Sequence, residues 1–220
     1  MKPALIFVFV LLFASFVLSS CSVVDSLQPI QGTVESGTLL FKDDFSVNPN
    51  GWGTMGRAGG EIGFEFEGLT IKVNTPNFLF WTVNGSRYRD TRIEVDAVLL
   101  DGPADDNFGV ICRFKDNKNF YGFVISHDGY YGIFKMLDGT LDLATSASNL
   151  DYSEDIRKGG VVNHITVVCQ DDILRLTVND ALLSEIQDSS FDEGQVGLIA
   201  GAYEFGGVKV LFDNLDVYQP

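Results

Sequence analysis

Histidine, methionine and tryptophan are scarce: the 220 residues include 2, 3 and 2 of them. His127 falls in a turn and His164 at a strand start, so no histidine pair has the spacing of a catalytic zinc site. No Gly-x-Ser-x-Gly elbow is present, which argues against a nucleophile triad. Positive charge is also short, with 15 Lys and Arg against 30 Asp and Glu and a net charge of −15. Such a surface excludes nucleic acid as a partner and disfavours flat docking on anionic lipid. It suits solubility or multivalent cations. No stretch keeps a helical period, and neither a repeat nor a second domain is visible.

The one long apolar run stands at the start. Lys2 precedes Ala4 to Leu18, which only Ser15 interrupts, about 15 residues where a bilayer core of about 30 Å needs about 20. Residues 1–20 are therefore expected to be an export signal. Leu18-Ser19-Ser20-Cys21 resembles the lipobox of bacterial lipoproteins, which implies acylation of Cys21; ordinary signal cleavage with Cys21 as a spectator is the alternative. The expected location is the bacterial cell envelope, outside the cytoplasm, with the protein anchored to the membrane through its N-terminal lipid. Residues 21–36 carry Ser, Gln, Pro, Gly and Thr without a period and read as a flexible tether reaching roughly 20 Å. Removing the signal takes away one lysine and no acid, so the mature charge becomes −16.

Residues 37–220 read as one all-β domain. Asp106 to Phe114, Phe120 to Ser126 and Tyr130 to Met136 are apolar runs joined by Asp116-Asn117-Lys118-Asn119 and His127-Asp128-Gly129, a β-meander. A hairpin is expected over Glu61 to Val73, turning at Glu67-Gly68, and a turn at Asn84-Gly85-Ser86. About a dozen short strands at this spacing define a two-sheet sandwich. Cys112 shares parity with Val110 and Phe114, and Cys169 with Ile165 and Val167. Both point inward, so they either pair across the sandwich or stay as buried thiols; a disulfide closing about 58 residues would stabilise by about 4 kcal/mol.

Several motifs then fall into a known order. Asp43-Asp44-Phe45 with Trp52 opens the domain, and Phe108-Gly109-Val110-Ile111-Cys112-Arg113, Asn119-Phe120-Tyr121-Gly122-Phe123 and Asp128-Gly129-Tyr130-Tyr131 follow. Leu174-Arg175-Leu176-Thr177-Val178-Asn179, Gly194-Gln195-Val196-Gly197-Leu198 and Phe212-Asp213-Asn214-Leu215 close it. This resembles the concanavalin A-like lectin/glucanase superfamily, in particular laminin-G-like and 3-keto-disaccharide-hydrolase-like domains. The resemblance implies a jelly roll of two antiparallel sheets, one concave. It implies a lectin, a glycosidase or an adhesion module without choosing among them.

Three constellations can carry chemistry. Glu94 and Asp96 alternate on one strand at the spacing a retaining glycosidase needs, but Val98 and Leu99 stand where a further acid is required, so the pair reads as a solvated face. Arg113, Tyr121, Tyr131 and Lys135 lie side by side in the meander and can form a sugar platform, aromatic faces beside polar heads. Tyr121 also alternates in phase with Phe123 and Ile125, which equally fits core; Trp52 and Trp81 read as core plugs. Asp43, Asp44 and Asp213 lie on terminal strands that a jelly roll brings together, where a structural calcium ion can sit. The expectation is a non-catalytic carbohydrate-binding or adhesion module with a glycan or an envelope protein as partner. The alternatives are a hydrolase of the 3-keto-disaccharide-hydrolase-like group and a structural envelope protein.

Overall fold

A computed structural model describes residues 35–46, 51–57, 59–145 and 149–220. The expected signal, Cys21 and most of the tether lie outside the described residues. The strands are β1 (Leu39–Asp43), β2 (Met55–Arg57), β3 (Gly60–Glu65), β4 (Gly68–Val73), β5 (Phe78–Tyr88), β6 (Thr91–Asp101), β7 (Asn107–Asp116) and β8 (Asn119–Ser126). The chain continues through β9 (Tyr130–Leu137), β10 (Thr140–Leu143), β11 (Asp151–Tyr152), β12 (Asn163–Gln170), β13 (Ile173–Val178), β14 (Ala181–Gln187), β15 (Gly194–Ala202) and β16 (Val208–Tyr218).

Two antiparallel sheets result. Nine strands pair in the order β14-β13-β12-β6-β16-β4-β3-β2, with β1 also on β16. Seven pair as β10-β9-β8-β7-β15-β5, with β11 on β9. The two sheets face each other across one core to which both contribute alternate residues: Ile93, Val95, Ile165, Val167 and Phe212 from the first, Phe108, Val110, Phe123, Ile125 and Leu198 from the second. Strand parity, with its period of two, dictates this division. The last strand is central to the larger sheet. β16 pairs with β6 along one edge, and with β4 and then β1 along the other.

The sequence-based boundaries shift in two places. Asn84-Gly85-Ser86 is not a turn: β5 runs through it, and the register with β15 slips between Gln195↔Arg87 and Gly197↔Val83. Gly85 takes a φ of 80° there and its N–H donates to Gln195 Oε1 at 3.1 Å, so these turn-forming residues build a bulge. The β3–β4 hairpin turns at Phe66-Glu67, with φ of 55° and 58°, rather than at Glu67-Gly68. Two consecutive positive φ values match the twist of the flanking strands, even without the Asn or Gly such turns prefer.

Cys112 on β7 and Cys169 on β12 form a disulfide that joins the two sheets across the core. The residues are 57 apart in sequence. Replacing both by serine should lower unfolding free energy by about 4 kcal/mol on the chain-entropy account. Urea denaturation of the double variant, read by circular dichroism, checks this; an unchanged midpoint would show that the bridge constrains nothing the core does not.

Candidate functional site

The four residues expected to form a sugar platform belong instead to the packed interior and its seams. Tyr121 is fully buried, because its parity is that of Phe123 and Ile125. Its hydroxyl donates to the Asp188 carboxylate and accepts from the Phe191 N–H at 3.1 Å. Arg113 is also buried, at a φ of 51° where the register of β7 on β8 slips. Its guanidinium donates to the carbonyls of Arg89, Asp171 and Phe191 at 2.8–3.1 Å and to Asp90 Oδ1 at 3.1 Å. Tyr131 donates to the Leu183 carbonyl at 2.9 Å, and Lys135 pairs with Asp188 at 2.6 Å. These side chains tie β7, β8 and β9 to β14, to the segment that follows it, and to the β5–β6 and β12–β13 connections. The sequence places them on neighbouring strands correctly but on the face turned inward.

The ionisable groups in this seam are strongly perturbed. Burial alone would raise the Asp188 carboxyl, but hydrogen bonds from Lys135, Ser190 and Tyr121 outweigh it and hold it well below the usual carboxylate range. Burial, together with Asp188, pushes Tyr121 up to about 12.

The other candidate groups are dispersed. Glu94 and Asp96 lie on β6 of the nine-stranded sheet, where Glu94 pairs with Arg92 at 2.7 Å and Asp96 with His164 at 2.8 Å. Asn214 Nδ2 donates to the second Asp96 oxygen at 3.0 Å. Asp43 is buried and accepts from Phe45 N and from Trp52 Nε1, both at 2.8 Å, so Trp52 is a core plug held by a carboxylate. Asp44 accepts from the Ser46 hydroxyl at 2.7 Å, and Asp213 from the Asn214 N–H at 2.7 Å. Among the described residues no three His, Cys, Asp or Glu side chains are arranged to hold a metal ion.

Sequence reasoning missed the outer face of the seven-stranded sheet, turned away from the core. It carries a second apolar cluster of Ile111, Phe114, Phe120, Val124, Phe134, Met136 and Ile199, with Leu79, Trp81, Val83, Leu143 and Leu150 packed on it. The signal was available: β7, β8 and β9 are nearly unbroken apolar runs, and a strand apolar on both faces is covered on both. Cross-strand pairs show how the covering is made. Gly122 lies opposite Phe134, and Gly201 opposite Leu79. A Cβ at either glycine would run into that larger side chain, so the ring or the isobutyl group lies down on the glycine. The sheet is thus paved with flattened side chains.

Two depressions lie on this surface among the described residues. The larger, about 930 Å³, is within the range of small-molecule sites. Its floor is Leu79, Val124, Phe134, Leu143 and Leu150; its rim carries Phe78, Tyr130 and Tyr203, which are 45%, 42% and 62% exposed. Asn77, Asp105, Asn107 and Asp128 supply polar groups. The rim is positioned by main-chain bonds: Asn77 N–H donates to Tyr203 O at 2.8 Å, Tyr203 N–H to Asp106 Oδ1 at 2.8 Å, and Asp128 N–H to Ala104 O at 3.0 Å. Asp106 is buried, which raises its carboxyl. Ser126 Oγ donates to the Asp128 carboxylate and accepts from Tyr130 N–H at 3.2 Å. Asn107 Oδ1, shielded from solvent at the edge of the cleft, has no donor among the described residues.

The two-sheet jelly roll is shared with several solved structures of low sequence identity. The carbohydrate-binding module CBM66 from Bacillus subtilis matches at a TM-score of 0.60 and 21% identity, over 78% of this chain and 97% of that one. A galectin-like protein of unknown function from Bacillus subtilis matches at 0.59 and 13%, over 84% and 97%. The beta-glucanase of Bacillus licheniformis matches at 0.60 and 10%, over 84% and 100%. No family model matches the sequence, and no curated protein does.

The perturbed seam has a pH signature. Asp188 is lowered on folding, so its contribution to stability is present above 3.8 and is lost as pH falls through the folded value. Tyr121 is raised from 10.0 to about 12, so its contribution is present below pH 10 and lost between about 10 and 12. Asp188→Asn should flatten the acid limb of melting temperature against pH and destabilise at neutral pH. An acid limb identical to that of the unaltered protein would show that other carboxylates govern it.

Proposed function

We propose that this domain is a non-catalytic carbohydrate-binding module, held in the bacterial cell envelope by a lipid on Cys21. The observation that carries this reading is the 930 Å³ cleft, in which exposed Phe78, Tyr130 and Tyr203 stand over an apolar floor beside Asn77, Asn107, Asp105 and Asp128. Sugars offer an apolar C–H face and a girdle of hydroxyls. Aromatic faces take the first, and carboxylates and amides the second. The Bacillus subtilis module with the same fold is a carbohydrate-binding one, which favours this reading.

β16 runs from Val208 to Tyr218, about 33 Å at the usual strand rise. Its far end receives the entering chain, since Leu39 pairs with Tyr218 and Gly37 N–H donates to Gln219 O at 2.8 Å. Its near end adjoins the cleft, where Gly207 N–H donates to Val73 O and the preceding loop supplies Tyr203. The end of β16 beside which the described chain enters and the end that adjoins the larger cleft are therefore opposite ends of one strand.

One observation favours a hydrolase as a second reading: Asp105 and Asp128 both border the cleft. The floor beneath them is apolar, and Asp128 is already engaged by Ser126. Asp105→Asn with Asp128→Asn, assayed for reducing-sugar release, separates the two readings: binding without turnover in the unaltered protein supports the module.

Tyr130→Ala with Tyr203→Ala should lower glycan affinity at least tenfold on an array of plant, microbial and host glycans while moving the melting temperature by no more than about 4 °C. A blank array for the unaltered protein would end this reading. Cys21→Ala should release the protein from the membrane fraction, measured by fractionation and fatty-acid labelling; retention of label in the variant would place any lipid elsewhere.

A further inference from the structure

The charge of the larger cleft is one-sided. Among the described residues no Lys, Arg or His side chain lines it, and its charged groups, Asp105 and Asp128, are both carboxylates. Neither belongs to an ion pair among the described residues. Carboxylates elsewhere stand beside cations: Glu94 beside Arg92, Asp188 beside Lys135, Asp216 beside Lys42. The field of Asp128 reaches Lys158, but that ammonium donates to the Tyr152 hydroxyl at 2.6 Å and does not line the cleft.

Two further acceptors stand at the same rim. Asp106 is buried; one oxygen accepts from the Tyr203 N–H, and the other has no donor among the described residues. Burial and the adjacent Asp105 raise its carboxyl, and the Tyr203 N–H opposes them. Asn107 Oδ1 lines the cleft, is shielded from solvent and likewise lacks a donor among the described residues. A shielded acceptor without a donor costs free energy that a ligand's N–H can recover.

The rings add to this. Phe78, Tyr130 and Tyr203 are exposed at the rim, and an aromatic face carries the negative part of its quadrupole, which attracts a cation. Over an apolar floor such attractions are screened less than on open surface. Unpaired carboxylates, an unsatisfied amide oxygen and aromatic faces all favour a ligand group that is positive and rich in N–H donors. An acidic glycan would be repelled, by the rim and by a chain of net charge −15.

We propose that the larger cleft selects glycans whose sugars carry free amines, with a protonated amino group received by Asp105, Asp128, Asn107 Oδ1 and the rim rings. This rests on the carbohydrate-binding reading of the cleft. An ammonium offers three N–H donors and a charge; its acetylated form keeps one donor and no charge, and a hydroxyl in its place offers one donor.

The test uses three hexasaccharides of one β-linkage that differ at a single ring substituent: those of glucosamine, N-acetylglucosamine and glucose. Each is titrated calorimetrically into the purified protein at mildly acidic pH, where the amines are charged. The glucosamine hexasaccharide should bind at least tenfold more tightly than either neutral one, and added sodium chloride should narrow the gap. Asp105→Asn with Asp128→Asn should bring the three affinities within threefold of one another. Asp105→Asn alone, which leaves the Ser126–Asp128 bond in place, should reduce the gap at least twofold and keeps the test decisive if the double variant fails to fold. A gap that survives both substitutions would belong to the overall negative charge and would overturn the proposal. Equal affinity for the three, or tighter binding of a neutral one, would overturn the amine preference while leaving the carbohydrate reading intact. Binding of none would also overturn the proposal, and the glycan array would then decide the carbohydrate reading separately.

Discussion

The seven-stranded sheet is apolar on both faces, and this constraint shapes the rest of the molecule. One face closes against the nine-stranded sheet in the usual manner of a sandwich. Over the other, no third layer stands among the described residues. Its apolar side chains are buried by laying them flat on the sheet, which glycines directly across from them permit. Ile111 lies between two such glycines, Gly122 on β8 and Gly197 on β15. A surface paved in this way is flat, aromatic and bounded by the loops at the strand ends. A cleft with an apolar floor and a mixed rim follows from that covering and needs no dedicated insertion.

The polar residues of the meander have a different task. With two sheets held mainly by non-directional apolar contact, their relative placement needs directional ties at the margins. Arg113 supplies four hydrogen bonds, three of them to loop carbonyls that no strand partner satisfies. Tyr121, Lys135 and Ser190 converge on Asp188, and Asp43 fixes Trp52. The Cys112–Cys169 bridge adds a covalent tie between β7 and β12. A buried guanidinium costs several kcal/mol in desolvation unless its donors are satisfied, and here they are met by carbonyls and a carboxylate. Such groups fix a unique packing of the two layers.

Much of the architecture was legible from strand parity and turn residues. The three strands from Asn107 to Leu137, their order and the inward direction of both cysteines follow directly from alternation. Parity also held Tyr121 in phase with Phe123, which is where it packs. The platform reading failed because parity divides a strand into two faces without saying which is wet, and here both are apolar. The cleft was out of reach for another reason. Its rim comes from residues 77–78, 105, 128–130 and 203, four separate connections that only the pairing of β5, β7, β8, β9 and β15 gathers. Asn84 to Ser86 misled because the residues that favour turns also favour bulges.

The placement of carboxylates bears most directly on what such a surface can do. Hydrolysis by a carboxylate pair needs both acids opposed across the scissile bond, one held protonated by an apolar or like-charged environment. The alternating pair on β6 does not meet the first: it stands on the nine-stranded sheet, where Glu94 pairs with Arg92 and Asp96 is bonded by His164 and Asn214. The acids that do reach the cleft, Asp105 and Asp128, sit on loops at its mouth, above a floor of leucine, valine and phenylalanine. The floor of the cleft thus carries groups that exclude water and transfer no proton. On the carbohydrate-binding reading proposed above, the aromatic rim takes the apolar face of a glycan and the acids and amides at the edge take its hydroxyls.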